Sequence, residues 1–175
     1  MATPNYMLRR TRKALEAHLK HLEHTVRRDN SLLKNEAFTF GGPHENSAWE
    51  SAIQEEKLID HQIAFAHTRL VNSIIIEDLH INTDTTGLGC IVTVRDQNSN
   101  EFRYVLVGPF EGGSRTASGL LVSIDAPLGH MLSGRRVGDE VTENFGALRT
   151  LLVTKVDLYV DDRPDDQLLG TSSTK

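Results

Sequence analysis

The stretch LRRTRKALEAHLKHLEHTVRRDNSLLKNE, residues 8–36, decides the fold of this chain. It contains neither proline nor glycine, and apolar residues recur in it at spacings of four, three and four, at Leu15, Leu19, Leu22 and Val26. This spacing places the four side chains on one side of a helix. A long helix with a narrow apolar seam is therefore predicted from Leu8 to about Glu36.

A second helix of similar length is predicted from Ser47 to about Ile75. The sequence SAWE at residues 47–50 has the pattern of a capping box, in which the serine and the glutamate are expected to bond early amides of the helix. The same four-three-four spacing recurs further along, at Ile59, Ile63, Ala66 and Leu70. The segment 38–45 between the helices contains FGGP at residues 40–43, which is typical of a turn. Together these features predict an antiparallel coiled-coil hairpin over residues 1–76.

A change of period marks a second domain, predicted over residues 77–160. Short apolar runs separated by glycine and polar residues are typical of strands. The predicted strands cover residues 79–82, 89–96, 101–107, 119–124 and 148–157, with a turn at 97–100 and one short helix at 126–132 that begins near Pro127. Residues 161–175 are polar, and we expect them to form a disordered tail.

The composition agrees with a soluble protein of the cytoplasm. The chain has 175 residues, of which 25% are charged and 38% hydrophobic, and no apolar run approaches the roughly 18 residues needed to cross a bilayer. Its single cysteine, Cys90, cannot form an internal disulfide and lies in a strand-like run, so we interpret it as a core residue. The net charge of −5 argues against an open surface for duplex nucleic acid.

Four segments of the second half carry a resemblance to a known family. They are GCIVTV at residues 89–94, FRYVLVGP at 102–109, LVSIDAPLGHML at 121–132 and SGRRVGDEV at 133–141. In this order they resemble the C-terminal domain of the Gre-type transcript-cleavage factors, the GreA/GreB family. The hairpin tip of those factors reads Gly-Asp-Leu-x-Glu-Asn-Ala, and residues 41–47 read GGPHENS here. The resemblance therefore covers roughly residues 8–160.

The resemblance implies an α+β fold, with an N-terminal antiparallel α-helical coiled-coil hairpin followed by an FKBP-like β-sheet domain. Gre factors bind at the secondary channel of bacterial RNA polymerase and insert the hairpin towards its active site. The implied partner is thus RNA polymerase, with indirect contact to the 3′ end of the nascent RNA and none to a membrane. The chain would be a monomeric accessory factor and not an enzyme itself.

Particular residues acquire roles through the same resemblance. The segment implied to bind the polymerase is Asp125, Ala126 and Pro127. The basic residues near the tip that are implied to face the RNA are Arg27, Arg28 and Lys34. In the family, an Asp and a Glu of the tip help to hold a Mg²⁺ ion shared with the polymerase active site.

The tip of this chain departs from the family pattern at one position. Gly42 stands where the family has Asp, while Glu45 and Asn46 are kept. We expect the chain to have no cofactor of its own, and Glu45 would be its contribution to the Mg²⁺ ion shared with the polymerase. A single carboxylate offers the ion less charge and fewer oxygen ligands. We therefore predict a secondary-channel regulator of elongation whose stimulation of transcript cleavage is weakened or lost.

Two alternatives stay open at this point. The first is an active cleavage factor in which Glu45 acts together with another carboxylate, for which Glu36 and Glu50 are the nearest candidates in sequence. The second, from a different class, is an FKBP-like peptidyl-prolyl isomerase or an adaptor for another partner. An isomerase would need a pocket lined by aromatic side chains.

Overall fold

The computed structural model describes residues 4–41, 47–144 and 148–163. The chain forms two compact units, one of residues 13–72 and one that combines residues 1–12 with residues 73–175. The first unit is a helical hairpin, and the second is built on a mixed β-sheet with one short helix. The predicted α+β class is confirmed. No helix of the described ranges is long and apolar enough to cross a membrane.

The helices of the hairpin unit follow the predicted order with different bounds. They are α1 (Arg9–His21), a π-helical turn (Leu22–Val26), α2 (Arg27–Gly41) and α3 (Ser47–Leu70). The helix α3 starts at the residue predicted for it. The predicted end at Glu36 is wrong, because helical structure continues to Gly41, where Thr39 Oγ1 donates to the carbonyl of Asn35 at 2.9 Å.

All eight residues predicted for the seam pack between the helices. Six of them are buried, and Val26 and Leu70 pack against these at the margin. The six buried residues are Leu15, Leu19, Leu22, Ile59, Ile63 and Ala66. Beyond Val26 the seam becomes polar, because Asn30 is buried there and its Nδ2 donates to the carbonyl of Ala52 at 3.0 Å. The half of the hairpin nearer the tip therefore has little apolar packing.

The chain leaves the hairpin earlier than predicted. The helix α3 ends at Leu70, and Asn72 adopts a positive φ of 56°, a conformation that asparagine tolerates just after a helix. The next residues form β2 (Ser73–Ile75), which pairs in parallel with β1 (Asn5–Met7). The first residues thus belong to the β unit, and the predicted hairpin boundary at residues 1–76 is wrong.

One glycine makes room for this added strand. A Cβ at Gly108 would lie 1.8 Å from the carbonyl oxygen of Tyr6 in β1. No side chain fits at such a distance, so the close approach of the two backbones requires glycine.

The main sheet has five strands in the order β5-β4-β3-β7-β6. The neighbours β4 and β5 run parallel, whereas the other pairs are antiparallel. The strands are β3 (Cys90–Arg95), β4 (Glu101–Val107), β5 (Leu120–Ser123), β6 (Glu140–Asn144) and β7 (Leu148–Leu158), and α4 (Pro127–Leu132) follows β5. Four predicted strands and the short helix are thus confirmed, and β6 was not predicted.

The predicted strand at residues 79–82 is wrong. The chain makes a 3₁₀ turn over Ile76–Asp78 and then runs irregularly, with the Asn82 side chain accepting from the amide of Asp84 at 2.7 Å. Ile81 packs against the core without joining a strand ladder. The apolar side chain of Ile81 is partly buried, but this segment forms no strand ladder.

Both faces of the sheet carry apolar packing. On one face α4 covers a cluster that includes Val92, Leu106 and Val153. On the other face Leu8 and Ile76 pack onto a cluster formed by Val105, Val107 and Leu121. Cys90 is fully buried, as predicted, and burial raises the pKa of its thiol. The thiol is therefore less nucleophilic than an exposed cysteine.

The β unit extends beyond the predicted end at residue 160. Arg163 is only 3% exposed, and its guanidinium bonds the carboxylate of Asp161 through Nε at 2.9 Å and Nη2 at 2.7 Å. The prediction of a disordered tail is thus wrong for residues 161–163, because these charged side chains pair with one another and with the β unit. The rest of the predicted tail, residues 164–175, lies outside the described residues.

Candidate functional site

The residues predicted to act at the hairpin tip lie outside the described ranges. These are Gly42, Glu45 and Asn46. On either side of this segment in the sequence, Phe38 and Trp49 are in contact, with ring centroids 5.6 Å apart at an interplanar angle of 49°. This contact holds α2 and α3 together close to the tip. Within residues 4–41, 47–144 and 148–163, no three His, Cys, Asp or Glu side chains are grouped to hold a metal ion.

One side of the hairpin is closed by contacts between its helices, and we call this side the ladder face. His67 and Glu23 meet at 3.1 Å, Arg27 pairs with Asp60, and Lys34 pairs with Glu56 at 2.8 Å. The rings of Phe38 and Trp49 complete the series towards the tip. Each contact joins α3 to the helical segment opposite, so these contacts supply part of the attachment that the weak apolar seam lacks near the tip.

The three basic residues implied to face RNA differ in how they are paired. Lys34 and Arg27 both take part in the ladder face, and the Lys34 side chain is 24% exposed. Arg28 pairs only with its neighbour Asp29, at 3.3 Å, among the contacts between described residues, and its side chain is 70% exposed. Of the three cations, Arg28 is therefore the most accessible to a phosphate.

The opposite side of the hairpin holds a groove of about 550 Å³ near the tip, which we call the open groove. Small side chains form its floor, namely Ala37 on α2 with Ala48 and Ala52 on α3, and Leu33 borders it. Its charged lining residues among those described are Glu36 and Glu55. Two of the carboxylates near the tip, Glu36 and Glu50, are exposed, and only Glu36 belongs to this groove.

The predicted polymerase-binding segment forms the junction between β5 and α4. Ala126 is extended and caps α4, its carbonyl accepting from the amide of His130 at 2.9 Å, and Pro127 opens the helix. Asp125 and Pro127 are exposed. A Cβ at Gly129 would lie 2.0 Å from the carbonyl oxygen of Ser123, so α4 packs against the end of β5 too closely for any larger residue. The exposed turn is thus fixed by tight backbone packing beneath it.

A buried polar cluster in the β unit holds the start of α1. The carboxylate of Glu111 accepts from the backbone amide of Leu8, with 3.1 Å to each oxygen, and also from the hydroxyl of Thr11. Arg163 lies 3.5 Å from Glu111 and donates to the Thr11 hydroxyl at 2.7 Å. A carboxylate is favoured at a helix N-terminus, where backbone N–H groups lack partners.

The surroundings of the buried cluster shift the pKa values of Glu111 and Asp161 in opposite directions. Burial raises the pKa of Glu111, although the Thr11 hydroxyl and the Arg163 charge favour its ionised form. Burial also disfavours the ionised form of Asp161, but the bonds and charge of Arg163 outweigh it and lower the pKa of Asp161. Sequence reasoning missed this cluster, because Glu111 and Arg163 lie in loop-like segments 52 residues apart with no periodic signal.

Comparison with known proteins bears on both units. The family model described as transcription elongation factor GreA/GreB, C-terminal, matches residues 81–157. GreA of Thermoanaerobacter pseudethanolicus is 32% identical over 131 residues, which cover 74% of this chain and 82% of that protein. GreA of Bacillus licheniformis is 34% identical over 137 residues, which cover 75% and 82%. The chain belongs to the GreA/GreB family.

Two solved structures are similar to this chain at low sequence identity. Gfh1 of Thermus thermophilus is 20% identical, covers 89% of this chain and 99% of its own, and superposes with a TM-score of 0.41. The GreA/GreB factor of Nitrosomonas europaea is 18% identical, covers 89% and 98%, and has a TM-score of 0.37.

Membership of the GreA/GreB family confirms the predicted resemblance and its general functional consequence. The chain is a transcription elongation factor, an accessory factor and not an enzyme itself. The aromatic side chains that an isomerase pocket would require are in part used elsewhere, since Phe102 and Tyr104 pack against the core beneath α4 and Tyr159 is buried.

Proposed function

We propose that this GreA/GreB-family factor regulates elongation by binding RNA polymerase and entering its secondary channel with the hairpin, and that it stimulates transcript cleavage weakly or not at all. The observation that carries the second part is Gly42, which stands where the family's tip has Asp. Loss of that carboxylate removes one of two negative oxygen donors from a weakly held ion. We therefore expect this chain to bind the polymerase without strongly stimulating transcript cleavage.

The form of the hairpin supports insertion into a narrow channel. Among its described residues the hairpin has two helical layers, with one seam of buried side chains between them. A helix of the length of α3 is roughly 36 Å long at about 1.5 Å per residue. The ladder face and the Phe38–Trp49 contact keep the two helices together near the tip. A slender paired-helix element of this kind can enter a pore that excludes a globular domain.

The metal chemistry would come from the polymerase. Mg²⁺ prefers several oxygen ligands in a strict octahedral arrangement, and of the tip residues Glu45 is the one that offers a carboxylate. One carboxylate does not make a site by itself. When bound, a second Mg²⁺ stabilises the attacking and leaving oxygens of phosphoryl transfer. The contribution of this chain would be limited to Glu45, held beside Asn46 at the tip.

The other contacts of the proposal lie away from the tip. The exposed turn Asp125–Pro127 would bind the polymerase at the channel rim, and Arg28 would approach the extruded RNA through its exposed guanidinium. Arg27 and Lys34 would reach phosphates only by giving up or sharing their bonds to Asp60 and Glu56. The factor would act as a monomer in the cytoplasm.

The decisive experiment adds the purified protein to a stalled, backtracked elongation complex and scores RNA cleavage, nucleotide addition and polymerase binding together. We expect binding, an altered rate of nucleotide addition, and little cleavage. The variant Gly42→Asp should raise cleavage by at least about tenfold, equivalent to about 1.4 kcal/mol of barrier. Glu45→Gln in the Gly42→Asp background should remove that gain.

The alternative of an active cleavage factor predicts a different pattern. If the wild-type protein cleaves efficiently, and Glu36→Gln or Glu50→Gln lowers cleavage as much as Glu45→Gln does, a second carboxylate already replaces the family's Asp. Strong wild-type cleavage would then overturn the proposed loss of activity. Absence of polymerase binding by the wild-type protein would overturn the proposed function as a whole.

A further inference from the structure

The two sides of the hairpin near the tip differ in chemistry. On the ladder face, carboxylates that reach across the hairpin are neutralised, Asp60 by Arg27 and Glu56 by Lys34. On the side of the open groove, Glu36 and Glu55 form no ion pair with any described residue. The open groove therefore combines an apolar floor with uncompensated negative charge.

This charge decides which class of macromolecule suits the open groove. A phosphate backbone would meet two carboxylates there and would be repelled. A protein segment with an apolar side chain flanked by Lys or Arg would fill the floor formed by Ala37, Ala48 and Ala52 and would pair with both carboxylates. The groove thus selects a basic amphipathic peptide segment over RNA.

The groove also exposes more apolar surface than the hairpin needs for its own packing. Leu33 is 60% exposed although it borders the floor, and the small side chains opposite it leave a space of about 550 Å³. Concave apolar surface of this size, rimmed by polar groups, is typical of a binding surface.

We propose that the open groove binds a basic amphipathic segment of RNA polymerase while the hairpin occupies the secondary channel. This inference rests on the proposed function, because it takes the polymerase as the partner. It adds that the hairpin is held in one orientation about its long axis. The side with the open groove must face the polymerase protein, and the accessible Arg28 lies outside the groove. The groove would thus determine which face of the hairpin is turned to the RNA.

Adjacent leucines on α2 provide a matched pair of variants. Leu33 borders the open groove and is 60% exposed, whereas Leu32 does not border it and is 55% exposed. Both lie within about one turn of Glu36, but Arg28 lies four residues before Leu32 and Asp29 four residues before Leu33, so the helicity of both variants is compared with that of wild type. We expect Leu33→Glu to weaken polymerase binding by about tenfold or more and Leu32→Glu by less than about twofold.

The charge of the groove is tested separately. The double variant Glu36→Gln with Glu55→Gln should weaken polymerase binding severalfold at low ionic strength, and the difference from wild type should shrink as salt is added. Glu50→Gln, on an exposed carboxylate of the same region outside the groove, is the control and should bind like wild type. Circular dichroism of each variant checks that the hairpin is intact.

Photocrosslinking identifies the occupant directly. A photoreactive amino acid at position 33 should crosslink to a polymerase segment that carries Lys or Arg beside an apolar residue, and the same group at position 32 should not. Equal effects of Leu33→Glu and Leu32→Glu, or a crosslink to RNA or to a second copy of this chain, would overturn the inference while wild-type binding still supports the proposed function. If the wild-type protein does not bind polymerase, the proposed function itself fails.

Discussion

The carboxylate of Glu111 bonds the backbone amide of Leu8, a residue 103 positions earlier in the chain, at 3.1 Å from each oxygen. The bond attaches Leu8, the residue immediately before α1, to the loop that follows β4. A second carboxylate does the same one residue later, since Glu77 accepts from the amide of Arg9 at 3.0 Å. The start of the first helix is thus held by acceptors from distant parts of the β unit.

Removing the Glu111 carboxylate should destabilise the β unit strongly. Glu111→Ala leaves the Leu8 amide, the Thr11 hydroxyl and the buried Arg163 without their shared acceptor. Breaking a buried charged pair in this way costs about 3 kcal/mol or more. Urea unfolding should show this loss, whereas Glu101→Ala, which removes an exposed partner of Arg95, should cost less than about 1 kcal/mol. Equal losses in the two variants would contradict the importance of the cluster.

The same cluster should give stability a distinctive dependence on pH above the ordinary carboxyl range. The pKa of Glu111 is raised above its ordinary 4.5, so the folded state holds the proton more tightly than the unfolded state. The contribution of Glu111 protonation to the free energy of unfolding is therefore present below pH 4.5 and is lost as pH rises through the raised pKa. The unfolding temperature of Glu111→Gln, measured as a function of pH, should lack this decline. If the wild-type and Glu111→Gln curves have the same shape, the raised pKa is contradicted.

Asp161 should act in the opposite sense at lower pH. Its pKa is lowered below 3.8, so its contribution is present above that value and is lost as pH falls through the pKa of the folded state. Asp161→Asn should therefore lower stability at neutral pH, where the carboxylate is ionised, and flatten the acid side of the stability profile. Acid titration followed by circular dichroism provides the measurement, with Asp157→Asn, on a surface ion pair with Lys155, as the control.

The buried asparagine of the hairpin should trade stability for specificity. Asn30 lies in the seam, and its amide donates to the carbonyl of Ala52 at 3.0 Å. Replacing a buried polar residue of a coiled coil by leucine commonly raises stability and relaxes register or oligomeric state. We expect Asn30→Leu to raise the unfolding midpoint and to produce dimers or larger species in sedimentation. Asn35→Leu, at an exposed position of α2, should do neither.

How much of this structure could be predicted depends on the range of the interactions. The seam residues Leu15 and Ile59 were predictable because a helix repeats every 3.6 residues and its apolar side must be buried. The short strands β1 and β2 were not, since three residues carry no period and their pairing joins positions 68 residues apart. The irregular segment at 79–82 resembles a strand because Ile81 is apolar, although its backbone has no ladder partner.

The features of the candidate site likewise differ in whether local sequence is enough to predict them. The hairpin and its tip sequence could be inferred from periodicity and from the family resemblance, because both are local. The open groove depends on which face of α2 meets which face of α3 beyond the polar position Asn30, and side-chain size alone does not reveal it. The pairing of Lys34 with Glu56 likewise appears only when the helices are placed side by side.

The tight packing of α4 against β5 permits a test of the proposed polymerase-binding turn. A Cβ at Gly129 would lie 2.0 Å from the carbonyl oxygen of Ser123, so Gly129→Ala must displace α4 and with it the turn at Asp125–Pro127. Such overpacking costs about 1–3 kcal/mol. We expect lower stability in urea and, because the turn moves, weaker polymerase binding with an unchanged hairpin.

Gly87→Ala is the matched control for this substitution, because a Cβ there would meet nothing within 4 Å. Its effect on stability should be within about 1 kcal/mol, and its polymerase affinity should equal that of wild type. The informative comparison is made at a temperature where both variants are folded. If Gly129→Ala is destabilised yet binds polymerase as tightly as Gly87→Ala, the turn at Asp125–Pro127 is not a polymerase contact, and binding must depend on other surfaces of the factor.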